Sequence, residues 1–169
     1  MKKMLRILFI FIVLAGLSSC KVNYSFTGAS IPPEVKTVSI HFFKNIAPLI
    51  KSNLSQQFTE ALKERFNAQT SLNQVTNGGD LDLAGEITGY ATSPIAIQGN
   101  ETAAMNRLTM TINVRFTNKF NDTQNFETSF SRYQDYPSSQ SLASVEETIV
   151  KQIIEYLVDD IFNKTVVNW

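Results

Sequence analysis

From Leu108 to Phe120 the chain alternates with a period of two. Leu108, Met110, Ile112, Val114, Phe116 and Phe120 are apolar, while Thr109, Thr111, Asn113, Arg115, Thr117 and Lys119 between them are polar. Successive side chains of a strand leave opposite faces, so this segment has one oily face and one wet face. Such a strand is stable only where a second layer covers its oily side. A cover lies further along the chain. Ile149, Val150, Ile153, Ile154, Leu157, Val158, Ile161 and Phe162 recur as adjacent pairs every four residues, which predicts a helix with a broad apolar stripe. Ser144-Val145-Glu146-Glu147 matches a capping box that would open that helix. Glu146, Glu147, Asp159 and Asp160 fall on its outer side, where charges ordinarily serve solubility.

The remaining elements follow by the same reasoning. Val35 to Phe42 is β-branched and alternating, and is expected to be a strand. Pro48 can open a helix, and Ile50, Leu54, Phe58, Leu62 and Phe66 behind it predict one from about Pro48 to Asn67. The turn cluster Asn77-Gly78-Gly79-Asp80 precedes a second strand from Leu81 to Tyr90, with Gly85 and Gly89 marking bends or close packing. Residues from Ser93 to Ala104 read as a loop. Asn121-Asp122 turns the chain into a hairpin partner from Phe126 to Asp135. The order is β-α-β-β-β-α. It predicts an α+β two-layer sandwich, a mixed four-stranded sheet with two helices packed on one face. The first β-α-β crossover is expected to be right-handed, and the last two strands an antiparallel hairpin.

The first twenty residues read as an address. Lys2, Lys3 and Arg6 precede an almost wholly apolar run from Leu5 to Leu17, then Ser18, Ser19 and Cys20. The run is about thirteen residues, short of the roughly twenty that span a bilayer, and fits a secretory signal. Leu17-Ser18-Ser19-Cys20 resembles a bacterial lipobox, and Cys20 is the sole cysteine of the 169 residues. The expected organisation is therefore a lipoprotein signal peptide at 1–19, a lipidated tether at 20–33 and one globular domain at 34–169. Acyl chains on Cys20 would hold the mature chain at a membrane, each buried methylene contributing about 0.8 kcal/mol.

Composition narrows the function. The chain has 15 basic and 15 acidic residues, and without Lys2, Lys3 and Arg6 the balance becomes −3. A weakly acidic body argues against a nucleic-acid binder. One cysteine makes no internal disulfide, and one histidine makes no His-rich metal site. His41 is expected to be a structural or surface residue. The carboxylates Asp80, Asp82 and Glu86 cluster in sequence, and would matter catalytically only if they converged with His41 in a pocket, as in a hydrolase. No nucleophile or phosphate-loop motif is present, so neither an enzyme nor a cofactor is expected. The wet sheet face, with Arg107, Thr109, Thr111, Asn113, Arg115, Thr117 and Lys119, offers hydrogen bonds and spaced cations. It suits another protein or the phosphates of an anionic lipid.

Further words in the chain resemble the lipopolysaccharide-assembly lipoproteins of the LptE-like family, in their Bacteroidetes form. They are Cys20 with Tyr24-Ser25-Phe26-Thr27-Gly28, Ile31-Pro32-Pro33-Glu34-Val35-Lys36-Thr37, Phe58-Thr59-Glu60-Ala61-Leu62-Lys63, Gly79-Asp80-Leu81, Gly85-Glu86-Ile87-Thr88-Gly89-Tyr90, Asn106-Arg107-Leu108-Thr109, Phe130-Ser131-Arg132, and Asp160-Ile161-Phe162-Asn163 through Asn168-Trp169. They follow one another across the mature chain. The resemblance implies an outer-membrane lipoprotein, without catalysis, that assembles with and plugs an LptD-like β-barrel and helps deliver lipopolysaccharide to the outer leaflet. It implies a small sheet with two helices on one side, in agreement with the periodicity. Arg107, Arg115, Lys119 and Arg132 are candidates for contacts to lipid phosphate from strand alternation alone. The absence of acids in Lys21-Val22-Asn23-Tyr24 favours a body facing the periplasm or barrel lumen. The alternative is a periplasm-facing lipoprotein that binds another glycan or protein.

Overall fold

The computed structural model describes residues 31–49, 51–95 and 105–167. The signal peptide, Cys20, the tether aromatics Tyr24 and Phe26, the loop at 96–104, Ile50 and Trp169 lie outside the described residues. The elements are β1 (Thr37–Ile40), β2 (Lys44–Asn45), α1 (Leu54–Gln69), β3 (Asn73–Val75), β4 (Leu81–Ile95), β5 (Met105–Asn118), β6 (Phe126–Pro137) and α2 (Leu142–Phe162).

All the strands join one mixed sheet in the order β3-β1-β4-β5-β6, with β2 also beside β4. β1 runs parallel to both β3 and β4, and β2 runs parallel to β4. β4, β5 and β6 form an antiparallel meander in which Leu81 faces Asn118 and Phe116 faces Phe126. The α+β sandwich is as expected, but the sheet has six strands where four are legible in the sequence. The two additional strands have two and three residues, too few to carry a period. β2 resumes the path of β1 along β4 after a kink at His41–Phe43, and β3 is wholly exposed.

The apolar alternation faces inward. Leu81, Leu83, Ile87 and Tyr90 of β4 and Leu108, Met110, Ile112, Val114 and Phe116 of β5 are buried. Leu54, Phe58, Leu62 and Phe66 of α1 and the paired stripe of α2 lie over them. Each side chain of that size contributes roughly 1.5–3 kcal/mol on burial. Edge-to-face rings join the layers: Phe43 to Phe58 at 5.1 Å, and Phe66 to Phe162 at 5.2 Å between the helices.

The helix ends depart from expectation. α1 starts at Leu54, not at Pro48, because its buried ladder starts there and Leu49 is half exposed. α2 starts at Leu142 with Ser141 as its cap residue. Ser144 lies inside the first turn and donates to the Ser141 carbonyl at 2.7 Å, so the expected capping box does not form. β4 runs to Ile95, through part of the expected loop. The hairpin turn forms as expected: the Asn121 side chain accepts from the Thr123 N–H at the head of a short 3-10 turn.

Gly85 is needed where it stands. A β-carbon there would run into the Asn113 carbonyl and the ring of Phe43, which is fully buried against it. Gly85→Ala is therefore expected to lower stability by about 1–3 kcal/mol through overpacking. That corresponds to a drop of several degrees in thermal midpoint, readable by circular dichroism.

Candidate functional site

The helices cover one face of the sheet, so the other face is the open one, as alternation predicts. Along β5 it presents Arg107, Thr109, Thr111, Asn113, Arg115 and Thr117, and the register places Asp135, Tyr133, Ser131, Ser129 and Glu127 beside the first five of these. β4 adds Asp82, Ala84 and Glu86. Hydroxyls and small side chains predominate, so the surface is flat and polar.

The four basic candidates do not act as a set. Arg107 holds Asp135 across the strands, Nε to Oδ1 at 2.7 Å and Nη2 to Oδ2 at 2.9 Å. Its guanidinium also lies 3.5 Å over the Tyr133 ring. These hydrogen bonds raise the arginine's pKa and hold the Asp135 carboxyl below its usual range. Arg115 stands between Ala84 and Glu127 in a shallow depression of about 340 Å³ that Glu86, His41 and Phe42 also line. Lys119 lies past the end of β5 and donates from Nζ to the Gly78 carbonyl at 2.6 Å. Arg132 is opposite Met110, on the helix side of the sheet, where it grips Asp160 of α2 at 2.5 and 2.6 Å. Strand alternation separates it from the other three. Among the described residues, Arg115 and Lys119 have no carboxylate within ion-pair distance.

The acidic cluster is only partly dispersed: Glu86 lines the same depression as His41, while Asp80 is turned to the start of β1. The Asp80 carboxylate accepts the backbone N–H groups of Lys36 and Thr37, both at 2.9 Å, and its own N–H goes to the Thr37 hydroxyl. The Lys36 bond leads in holding its pKa below the usual carboxylate value. It is a clasp between β1 and the turn before β4. Asp82 does meet His41, Nε2 to Oδ1 at 2.8 Å, and the same oxygen accepts the Ser39 hydroxyl. Ser39 is fully buried and points at the aspartate instead of the histidine. A serine nucleophile needs an accessible hydroxyl bonded to its base, so this trio lacks that arrangement. The described residues hold no group of three or more His, Cys, Asp and Glu that could ligate a metal.

The acids on the helices do more than keep the chain soluble. Glu146 accepts the Tyr90 hydroxyl at 2.5 Å and Lys51 Nζ at 2.9 Å, joining sheet, α2 and the approach to α1. Burial pushes the Tyr90 hydroxyl far above its ordinary pKa, and the bond to Glu146 adds to this. Burial would raise Glu146 as well, but the bonds from Tyr90 and Lys51 outweigh it and hold the carboxyl low. Asp159 pairs with Arg65 of α1, and Asp160 with Arg132. No local motif marks these pairs, because their partners are set by packing.

The family model described as LptE, lipopolysaccharide-assembly, matches residues 35–165. The chain belongs to this family. The LptE family supplies lipoprotein components of lipopolysaccharide assembly in the cell envelope, and no helix among the described residues is long and apolar enough to cross a membrane. A comparison with curated proteins gives no match. Among solved structures, the fold is similar to a hypothetical protein from Chlamydia trachomatis, at TM-score 0.50 and 12% identity over 79% of this chain and 99% of that one. A minor lipoprotein from Acinetobacter baumannii matches at TM-score 0.48 and 12% identity over 73% and 91%. The rare lipoprotein B from Shewanella oneidensis matches at TM-score 0.46 and 10% identity over 76% and 90%.

Three clasping carboxyls have folded pKa values below the unfolded references of 3.8 for Asp80 and Asp135 and 4.5 for Glu146. A depressed folded pKa contributes stability that is present above the unfolded value and is lost as pH falls through the folded one. Stability is therefore expected to decline from about pH 4.5 downward. Glu146→Gln should flatten the start of that decline in denaturant titrations run from pH 6 to pH 3, and an unaltered profile would remove Glu146 from it.

Proposed function

We propose that this chain is an outer-membrane lipoprotein that assembles with an LptD-like β-barrel, fills part of its lumen, and helps pass lipopolysaccharide to the outer leaflet. The observation that carries the reading is the family match across residues 35–165, which spans every described strand and both helices. In this reading Cys20 is acylated after removal of residues 1–19. The tether ends at residue 33, and the domain from 34 to 169 is one body. The eleven residues from 20 to 30 reach at most about 35–40 Å when extended. The body therefore stays near the inner leaflet surface, in or under the barrel.

Its role is structural and not catalytic. In support, His41 and Asp82 meet without an accessible nucleophile, and Asp80 is spent on the backbone N–H groups of Lys36 and Thr37. A flat hydroxyl-rich face fits the polar wall of a barrel by hydrogen bonding and shape. For the phosphates of lipid A, Arg115 and Lys119 are the better handles, since a phosphate at Arg107 or Arg132 must first displace Asp135 or Asp160.

Tagged protein extracted from outer membranes is expected to bring down a barrel of the lipopolysaccharide-assembly type. Reproducible recovery without it contradicts the reading and favours another glycan or protein partner. Cys20→Ala should release the protein from the membrane fraction. Arg115→Ala with Lys119→Ala should weaken binding to lipopolysaccharide vesicles by about 5- to 30-fold, from roughly 0.5–1 kcal/mol per exposed charge pair, and should reduce its salt sensitivity. Arg107→Ala should act on stability instead, by freeing Asp135. Unchanged vesicle binding in the Arg115 and Lys119 variant removes both residues from lipid contact.

A further inference from the structure

The sheet has four stretches of strand edge that lack a neighbour among the described residues, and three of them are protected. β3 at one margin has only three residues and β2, open on its outer side, only two. The outer side of β4 beyond β2 carries an irregularity between Ile87 and Gly89, and Pro94 interrupts its donors. Short length, bulges and proline are the usual defences of an open edge.

β6, at the other margin, has none of these defences. It runs twelve residues, about 40 Å, in unbroken register with β5, and its proline is the terminal Pro137. Its charges do little to guard it. Arg132 is drawn to Asp160 and Asp135 to Arg107, and Thr128 to Ser131 carry no charge. Tyr133 is 51% exposed on the open face and Tyr156 of α2 is 50% exposed on the helix side. Tyr133 lies under the Arg107 guanidinium, and Tyr156 stands one turn before the Asp160 that Arg132 grips. Tyrosines around an arginine are the side chains most enriched where binding energy concentrates.

We propose that the β6 edge is a strand-addition site that takes an extended segment of the barrel partner. A second copy of this chain fits poorly. Two-fold pairing of β6 with itself keeps like faces together, and the charges of β6 on the open face are both carboxylates, Glu127 and Asp135. Pairing about Ser131 sets Glu127 against Asp135, and pairing about Phe130 sets it against Tyr133. Glu127 has no ion-pair partner among the described residues, so the fitting guest presents a lysine or arginine there. A closed barrel has no edge of its own, so the guest is a loop or terminal segment outside the closed wall. Backbone hydrogen bonds would hold it, with Tyr133 and Tyr156 flanking it on the two faces.

This inference rests on the barrel reading above, and amide hydrogen exchange on the full chain, alone and co-purified with its barrel, separates the two. The alternate β6 amides between Glu127 and Gln134 that do not bond to β5 should exchange rapidly in the chain alone. In the complex they should slow by about 100-fold or more. Equal rates in a complex that contains the barrel overturn the inference and leave the barrel reading standing. Slow exchange already in the chain alone means a segment of this chain fills the edge, and also overturns it. Failure to recover a barrel overturns the reading and the inference together. Thr128→Lys with Ser129→Lys, both exposed and without side-chain hydrogen bonds, should cut barrel recovery at least about tenfold at unchanged thermal midpoint. Full recovery with this variant also overturns the proposal.

Discussion

The structure depends on the burial of a two-helix layer against one face of a single sheet. α2 contributes adjacent apolar pairs, so its stripe is wide enough to contact α1 and the sheet at once. Phe66 and Phe162 close the seam between the helices, and Phe43 and Phe58 close the one between α1 and the kinked edge. Everything else is arranged around that one-sided layer. Because both helices lie on one side, the other sheet face has to be polar, and the sequence of β5 meets that demand residue by residue.

Charge then fixes the layers in place. Glu146, Asp159 and Asp160 take cations or hydroxyls from the sheet, from the approach to α1 and from α1 itself. Asp80 clasps the start of β1. Of the basic candidates, Arg107 and Arg132 are committed to this work. A body that uses its titratable groups in pairwise clasps suits a rigid component that fits against something larger.

Much of this was legible because the main periods are long. The alternation of Leu108 to Phe116 and the four-residue recurrence of Ile149 to Phe162 each repeat often enough to set both element and face. The lost detail was of two kinds. β2 and β3 are too short for any period, and β1 is shorter than its β-branched run suggested. At the helix starts, the Ser144 box was locally plausible, yet burial carried α2 back to Leu142. At the candidate site, alternation placed Arg107 and Arg115 on the open face but could not reveal that Asp135 engages one of them. Arg132 was separable in principle, since its parity in the β5–β6 register puts it with Met110. The meeting of His41 and Asp82 depends on the parallel pairing of β1 with β4, which no local signal encodes.

The most direct measurement of the account is depletion of the protein in its own cells, with surface lipopolysaccharide and the folded fraction of the assembly barrel followed together. Both should fall in step while lipopolysaccharide synthesis continues. Normal surface lipopolysaccharide with a fully folded barrel after complete depletion would contradict it.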